Sequence, residues 1–189
     1  QSGSTALIYA ATQGSKEFVV QLLSLGATPD LENRHEKTAL IAAAEAGHAD
    51  CVLALVANGA SPDYENSKGV TAVTVASKLR SKDVLNALLS SGANPQATNK
   101  RELSPLFQAA ASDDIASMRN MLECGIEPNY EQPDGTTVLM LCAKLGSTAG
   151  IATLIEFGAK PDYENSEGHT ALTYAASLGK LDSLIALVQ

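Results

Sequence analysis

The feature that most constrains this chain is a period. Thr5, Thr38, Thr71, Ser104, Thr137 and Thr170 are separated by the same 33 residues, and each opens a short apolar block: TALIYAA, TALIAAA, TAVTVAS, SPLFQAA, TVLMLCA and TALTYAA. Six copies without an insertion imply stacking of one small unit on the next, not collapse around a single centre. A second series keeps the same spacing. Gly26, Gly59, Gly92, Gly125 and Gly158 each follow an apolar helix end, and each precedes a proline by three positions, at Pro29, Pro62, Pro95, Pro128 and Pro161. Glycine ends a helix in the left-handed region without a Cβ penalty, and the proline prevents its resumption.

Each period therefore predicts two short helices. In the first they span 5–12 and 15–24, with Leu7, Ala10 and Ala11 expected to face inward against Phe18, Val19, Leu22 and Leu23. The sixth is expected to use Leu172, Ala175, Ala176, Leu184, Leu187 and Val188 in the same way. Tryptophan is absent and aromatic residues make up only 4% of the chain, so alanine, leucine and valine must supply most of the core. Three departures stand out. Arg80 and Asp113 replace the glycine found at Gly14 and Gly47, which implies backbone strain. Gly150 falls inside a helix, where it costs up to ~1 kcal/mol relative to alanine, and the simplest expectation is a weaker helix. Cys142 stands where other repeats have alanine, and reads as a small buried residue. No linker or composition shift interrupts the pattern, so residues 1–189 read as one domain of six repeats. It is expected to be truncated or atypical at both ends.

A net charge of −8 argues against a general nucleic-acid surface, which needs clustered Lys or Arg. No apolar run is long enough to span a membrane. The three cysteines are odd in number and lack a CxxC pair, which speaks against a disulfide framework and for an intracellular compartment, cytoplasmic or nuclear. There is no Gly-rich phosphate loop, metal-ligand cluster or activated nucleophile, and His35, His48 and His169 are far apart in sequence. The expectation is no enzyme, no metal and no cofactor.

The repeats resemble the ankyrin-repeat family across essentially the whole chain. The carriers are the threonine block, with Ser104–Pro105–Leu106 nearest to the family's T-P-L-H-x-A pattern, the Gly47–His48 turn, and the glycine–alanine exits at Gly26–Ala27, Gly59–Ala60, Gly92–Ala93 and Gly158–Ala159. The family's histidine after the leucine is replaced at Ile8, Ile41, Thr74, Phe107, Met140 and Thr173. The resemblance implies an all-α solenoid of helix-turn-helix units with finger-like turns. It also implies a non-catalytic scaffold that binds a partner protein through a concave face of fingers and first helices. An architectural spacer within a larger protein is the alternative.

The fingers repeat a further pattern. Asn33, Asn66, Asn99 and Asn165 occupy equivalent places, with Gln132 in the remaining one, and their amides are expected to stabilise the turns. Tyr64, Tyr130 and Tyr163 also share a register, suited either to contact with a partner or to packing between fingers. Residues before the threonine and at the ends of the first helices vary between repeats. The candidate partner-binding residues are therefore Tyr64, Lys68, Val70, Lys78, Leu79, Lys100, Arg101, Leu103, Tyr130, Lys144, Tyr163 and His169. Their mix of cations and apolar side chains suits a protein or peptide partner of acidic or mixed polarity.

Overall fold

The structure, a computed structural model, describes residues 5–97 and 104–188. The chain divides into two compact units, Gln1–Leu103 and Ser104–Gln189. The described residues form helices and turns, with one isolated antiparallel bridge between Glu131 and Thr137.

The first unit contains three helix pairs: α1 (Ala6–Thr12) with α2 (Lys16–Ser24), α3 (Ala39–Ala46) with α4 (Ala49–Ala57), and α5 (Ala72–Lys78) with α6 (Lys82–Ser90). The first helix of each pair packs beside the next first helix, and likewise for the second helices, giving two layers. The second unit repeats the plan with α7 (Pro105–Ala111) and α8 (Ile115–Glu123), α9 (Val138–Leu145) and α10 (Thr148–Glu156), α11 (Ala171–Ser177) and α12 (Leu181–Val188). Its layers follow the same rule.

The threonine register has a direct cause. Each of these residues is an N-cap in extended conformation, and Thr5, Thr38, Thr71, Thr137 and Thr170 accept a hydrogen bond from the backbone N–H three residues on. That satisfies one donor which the first turn leaves without a partner. Thr74 and Thr173 reciprocate to Thr71 and Thr170, completing capping boxes. Ser104 makes no such side-chain bond; Pro105 follows it as the first helical residue.

Leu40, Leu55, Leu85 and Leu88 lie at the centre of the first unit's core, and Phe107, Met118, Met121, Met140, Ile151 and Leu154 at that of the second. The expected strain at Arg80 and Asp113 is present: both are left-handed, at φ 55° and 52°. The Asp113 carboxylate accepts a hydrogen bond from the Ser147 hydroxyl. Four side chains of the outer repeats expected to face inward are exposed instead: Phe18, Leu172, Ala176 and Val188. Phe18 is 61% exposed, although the equivalent Cys51, Val84, Ser117 and Ser183 are buried. Leu172 and Val188 are 41% and 71% exposed, whereas Leu7, Leu40, Leu106 and Leu139, which share the Leu172 register, are buried. Helical periodicity identifies these side chains as apolar-face residues, but a face is buried only where another helix pair lies against it.

Gly150 also departs from expectation. A Cβ there would lie 2.6 Å from Ser147 Oγ and 2.9 Å from Cys142 Sγ. The thiol that replaces alanine at position 142 takes up the space that a side chain at 150 would need. Gly150 is thus a packing requirement of its pair, not a sign of a weak helix. Gly150→Ala is expected to destabilise the protein by ~1–3 kcal/mol, against the helix-propensity trend. In a denaturant-unfolding cycle, Cys142→Ala with Gly150→Ala should cost less than the sum of the two single changes.

Candidate functional site

Three kinds of hydrogen bond build the finger turns. In three fingers an asparagine side chain closes its own loop. Asn33 Oδ1 accepts from the His35 and Lys37 amides, Asn66 Oδ1 from Lys68 and Val70, and Asn165 Oδ1 from Glu167 and His169, at 2.8–3.1 Å. Asn66 and Asn165 are buried, as is Gln132. Asn66 also donates from Nδ2 to the Glu36 carbonyl, 3.0 Å away in the preceding finger. Glu36 is left-handed, with φ 61°.

The second kind ties neighbouring turns through the residues after Pro29, Pro62 and Pro128. Asp30 accepts from the Ser61 amide at 3.1 Å and Asp63 from the Asn94 amide at 2.7 Å, both in the first unit. In the second unit Asn129 accepts from the Lys160 amide at 2.8 Å and donates to the Gly158 carbonyl at 3.0 Å. The third kind engages the tyrosines. Tyr64 donates its hydroxyl to Glu32 at 2.8 Å, and Tyr163 donates to Glu131 in the preceding finger. Hydrogen bonding to the carboxylate is the main reason that both phenols are held above the usual tyrosine range. Tyr130 is half-buried.

On the first-helix side the variable positions behave differently from one another. Lys37 forms an ion pair with Glu45, so the cation before the second threonine is matched within its own repeat. Lys68 lies 3.6 Å from Glu36. Lys78 is exposed, Leu79 is 54% exposed and Val70 is half-buried. In the second unit Lys144 and His169 come together on Tyr174. The Lys144 ammonium sits 3.8 Å from the centre of the Tyr174 ring, and the His169 ring lies 4.9 Å from it, tilted by 45°. Asn99, Lys100, Arg101 and Leu103 lie outside the described residues.

Arg119 marks the second-helix layer of the second unit. It pairs with both oxygens of Glu156, at 2.8 and 2.7 Å, and its guanidinium lies 5.5 Å from the Phe157 ring centre. The two buried thiols, Cys51 and Cys142, are not poised as nucleophiles. Burial, reinforced by Asp113, pushes Cys142 up to about 12, and burial, then Asp50 and Glu17, raises Cys51. Among the described residues no group of three or more His, Cys, Asp or Glu side chains is placed to hold a metal ion, and no helix is long and apolar enough to cross a membrane.

The family model for ankyrin repeats, built on three copies, matches residues 7–99 and again 106–189. The chain belongs to the ankyrin-repeat family. Among solved structures it is similar to the ankyrin-repeat domain of Bcl-3, described as a unique member of the IkappaB family, with 28% identity and a TM-score of 0.76 over 100% of this chain and 86% of that one. It is also similar to a chain from the complex of a predatory endopeptidase of Bdellovibrio bacteriovorus with its immunity protein, with 28% identity and a TM-score of 0.63 over 98% of each chain. An ankyrin-repeat domain from Acinetobacter baumannii AYE shares the fold, with 23% identity and a TM-score of 0.67 over 96% of this chain and 95% of that one. A comparison with curated proteins gives no match. Ankyrin repeats are generally protein–protein interaction modules without catalysis of their own.

Within this ankyrin-repeat chain, sequence reasoning singled out Lys144 and His169 as candidates but not Tyr174, the ring that both contact. The signal was available: Tyr9, Ala42, Val75, Gln108, Leu141 and Tyr174 share one register and vary inside an otherwise regular apolar block. Nor did it single out Asp30, Asp63 and Asn129, whose side chains link neighbouring fingers. The histidine of the Gly47–His48 turn has a structural use. Its Nε2 lies 3.2 Å from the Thr12 carbonyl, and a Cβ at Gly14 would come within 2.7 Å of its ring.

Two predictions follow from the finger geometry. Asn66→Ala removes every bond of that side chain and should cost ~1–3 kcal/mol; Asn66→Asp keeps the acceptor for the Lys68 and Val70 amides, so chemical unfolding should show a smaller loss. The tyrosine ties require protonated phenols. Because the folded values are raised, their stabilisation is present below the ordinary phenol value and is lost as pH rises through the folded one. In an alkaline titration followed by phenolate absorbance, Glu32→Gln should shift the Tyr64 ionisation to lower pH.

Proposed function

We propose that this ankyrin-repeat chain is a non-catalytic interaction module that holds a segment of a partner protein on the face made by its finger turns and first helices. The observation that carries this reading is a division of labour between positions. Asn33, Asn66, Asn165, Asp30, Asp63, Asn129 and two of the tyrosines are committed to hydrogen bonds inside and between fingers. The residues that vary between repeats are left at the surface: Lys78, Leu79, Leu145 and His169 are exposed, and Lys144 is half-buried. A constant scaffold with a varied rim suits recognition.

On this reading Val70, Lys78 and Leu79 serve the first unit, with Lys68 at its finger, and Lys144 and His169 serve the second. Lys100, Arg101 and Leu103 are proposed as part of the same binding set. Tyr64, Tyr130 and Tyr163 contribute their ring surfaces, since the hydroxyls of Tyr64 and Tyr163 already have acceptors. The partner is a protein or peptide of acidic or mixed polarity, met inside the cell, and charge governs its encounter and register more than its affinity. The endopeptidase–immunity protein complex is an assembly of two proteins, which supports a protein partner here.

The test compares the intact chain with a Lys78→Glu, Lys144→Glu variant and with Arg119→Ala, a change in the second-helix layer. Partners recovered by affinity capture should fall about tenfold for the first variant and little for the second, with circular dichroism unchanged in both. Equal recovery by all three folded proteins would count against this face and favour an architectural spacer.

A further inference from the structure

We infer that Lys144, His169 and Tyr174 form an anchor for a single side-chain carboxylate of the bound segment. This rests on the partner-binding reading of the same face and specifies its chemistry in the second unit.

The three side chains come from separate places in the chain. Lys144 is in the last turn of α9, His169 precedes the cap residue Thr170, and Tyr174 lies in α11. Tyr174 is the shared floor, with the lysine ammonium 3.8 Å from its centre and the histidine ring 4.9 Å away. A ring face holds a cation in place without neutralising it. Among the described residues the ammonium of Lys144, the ring nitrogens of His169 and the hydroxyl of Tyr174 have no hydrogen-bond acceptor. Lys144 and His169, both in contact with the Tyr174 ring, and Tyr174 itself therefore each carry an N–H or O–H donor without an acceptor. A carboxylate, with two oxygens and several lone pairs, matches that set.

The contrast with other cations of the protein sharpens the assignment. Lys37 is closed by Glu45, Lys68 is near Glu36, and Arg119 is closed by both oxygens of Glu156. Lys144 is held by an aromatic ring instead of an acid. Its flanks are apolar: Leu145 is 48% exposed and Leu141, one turn earlier, is half-buried. The whole chain carries −8, so a strongly acidic segment would be repelled at long range. The occupant that fits is one Asp or Glu with apolar neighbours. Leu141 and Gln108 continue the Tyr174 register across α9 and α7, which gives the segment room to run on past its acid. The anchor is assigned to a side-chain carboxylate within such a segment, and a chain end is the outcome that the test separates from it.

The test uses the full chain to select from a random peptide display library. Enriched peptides are remade with amidated C-termini. The expected result is a shared Asp or Glu beside apolar residues, with affinity about tenfold weaker on Glu→Gln or Asp→Asn in the peptide. Lys144→Met should remove that difference, and Lys144→Arg should retain most of it, with circular dichroism confirming the fold of both. Enriched peptides that lack a shared acid, or that bind Lys144→Met as well as the parent, overturn the anchor while leaving the peptide-binding face in place. Binding that disappears on amidation and ignores Glu→Gln assigns the cluster to a chain terminus and also overturns it. Failure to enrich any peptide counts against the anchor and the wider reading together.

Discussion

Everything in this fold depends on how closely the two helices of a pair approach. At the alanine register of the first helix there is room for very little, and the facing residue of the second helix must complement it. Ala43 meets that condition with Cys51, Ala76 with Val84 and Ala109 with Ser117, all buried in the structure. Cys142 meets it only because position 150 is glycine, since a methyl there would collide with the thiol. Close packing of this kind leaves no slack for one extra carbon. It also explains a core with few aromatic residues, in which small side chains repeat at every layer.

The fingers obey a different economy. They bury little apolar surface and are held by directed hydrogen bonds. Asn33, Asn66 and Asn165 close their loops, Asp30, Asp63 and Asn129 reach the next turn, and Tyr64 and Tyr163 reach back to a glutamate in the previous finger. These bonds leave the finger conformation nearly independent of the residues that vary beside it. That separation is what lets Lys37, Val70 and His169 occupy the same register with different chemistry while the turns around them keep one shape.

Much of this was legible in the sequence, because its causes are local. The threonines that open each block are caps, and the exit glycines adopt the left-handed conformation that their position requires, as do Arg80 and Asp113 at greater cost. Asn33, Asn66 and Asn165 stabilise their turns as expected. What was not legible depends on what lies opposite. Phe18, Leu172 and Val188 carry the periodicity of buried residues yet are exposed, because periodicity marks a face and not its cover. Gly150 looked like a weak point until the position of the Cys142 sulfur was known. Tyr174 looked like one more residue of an apolar block. Only the approach of Lys144 and His169 from other segments shows it to be the floor of a cluster.

The Cys142–Gly150 fit bears on how such a chain can be rearranged in evolution. Its two members lie on the two helices of one repeat, so duplication or deletion of a whole repeat, with breakpoints in the fingers, carries both together. A crossover in the short turn between the helices would join Cys142 to a Val84-like or Cys51-like partner and leave the sulfur without space. The permitted joints between ancestral copies are thus the hydrogen-bonded fingers, and a repeat is inherited as an indivisible helical pair.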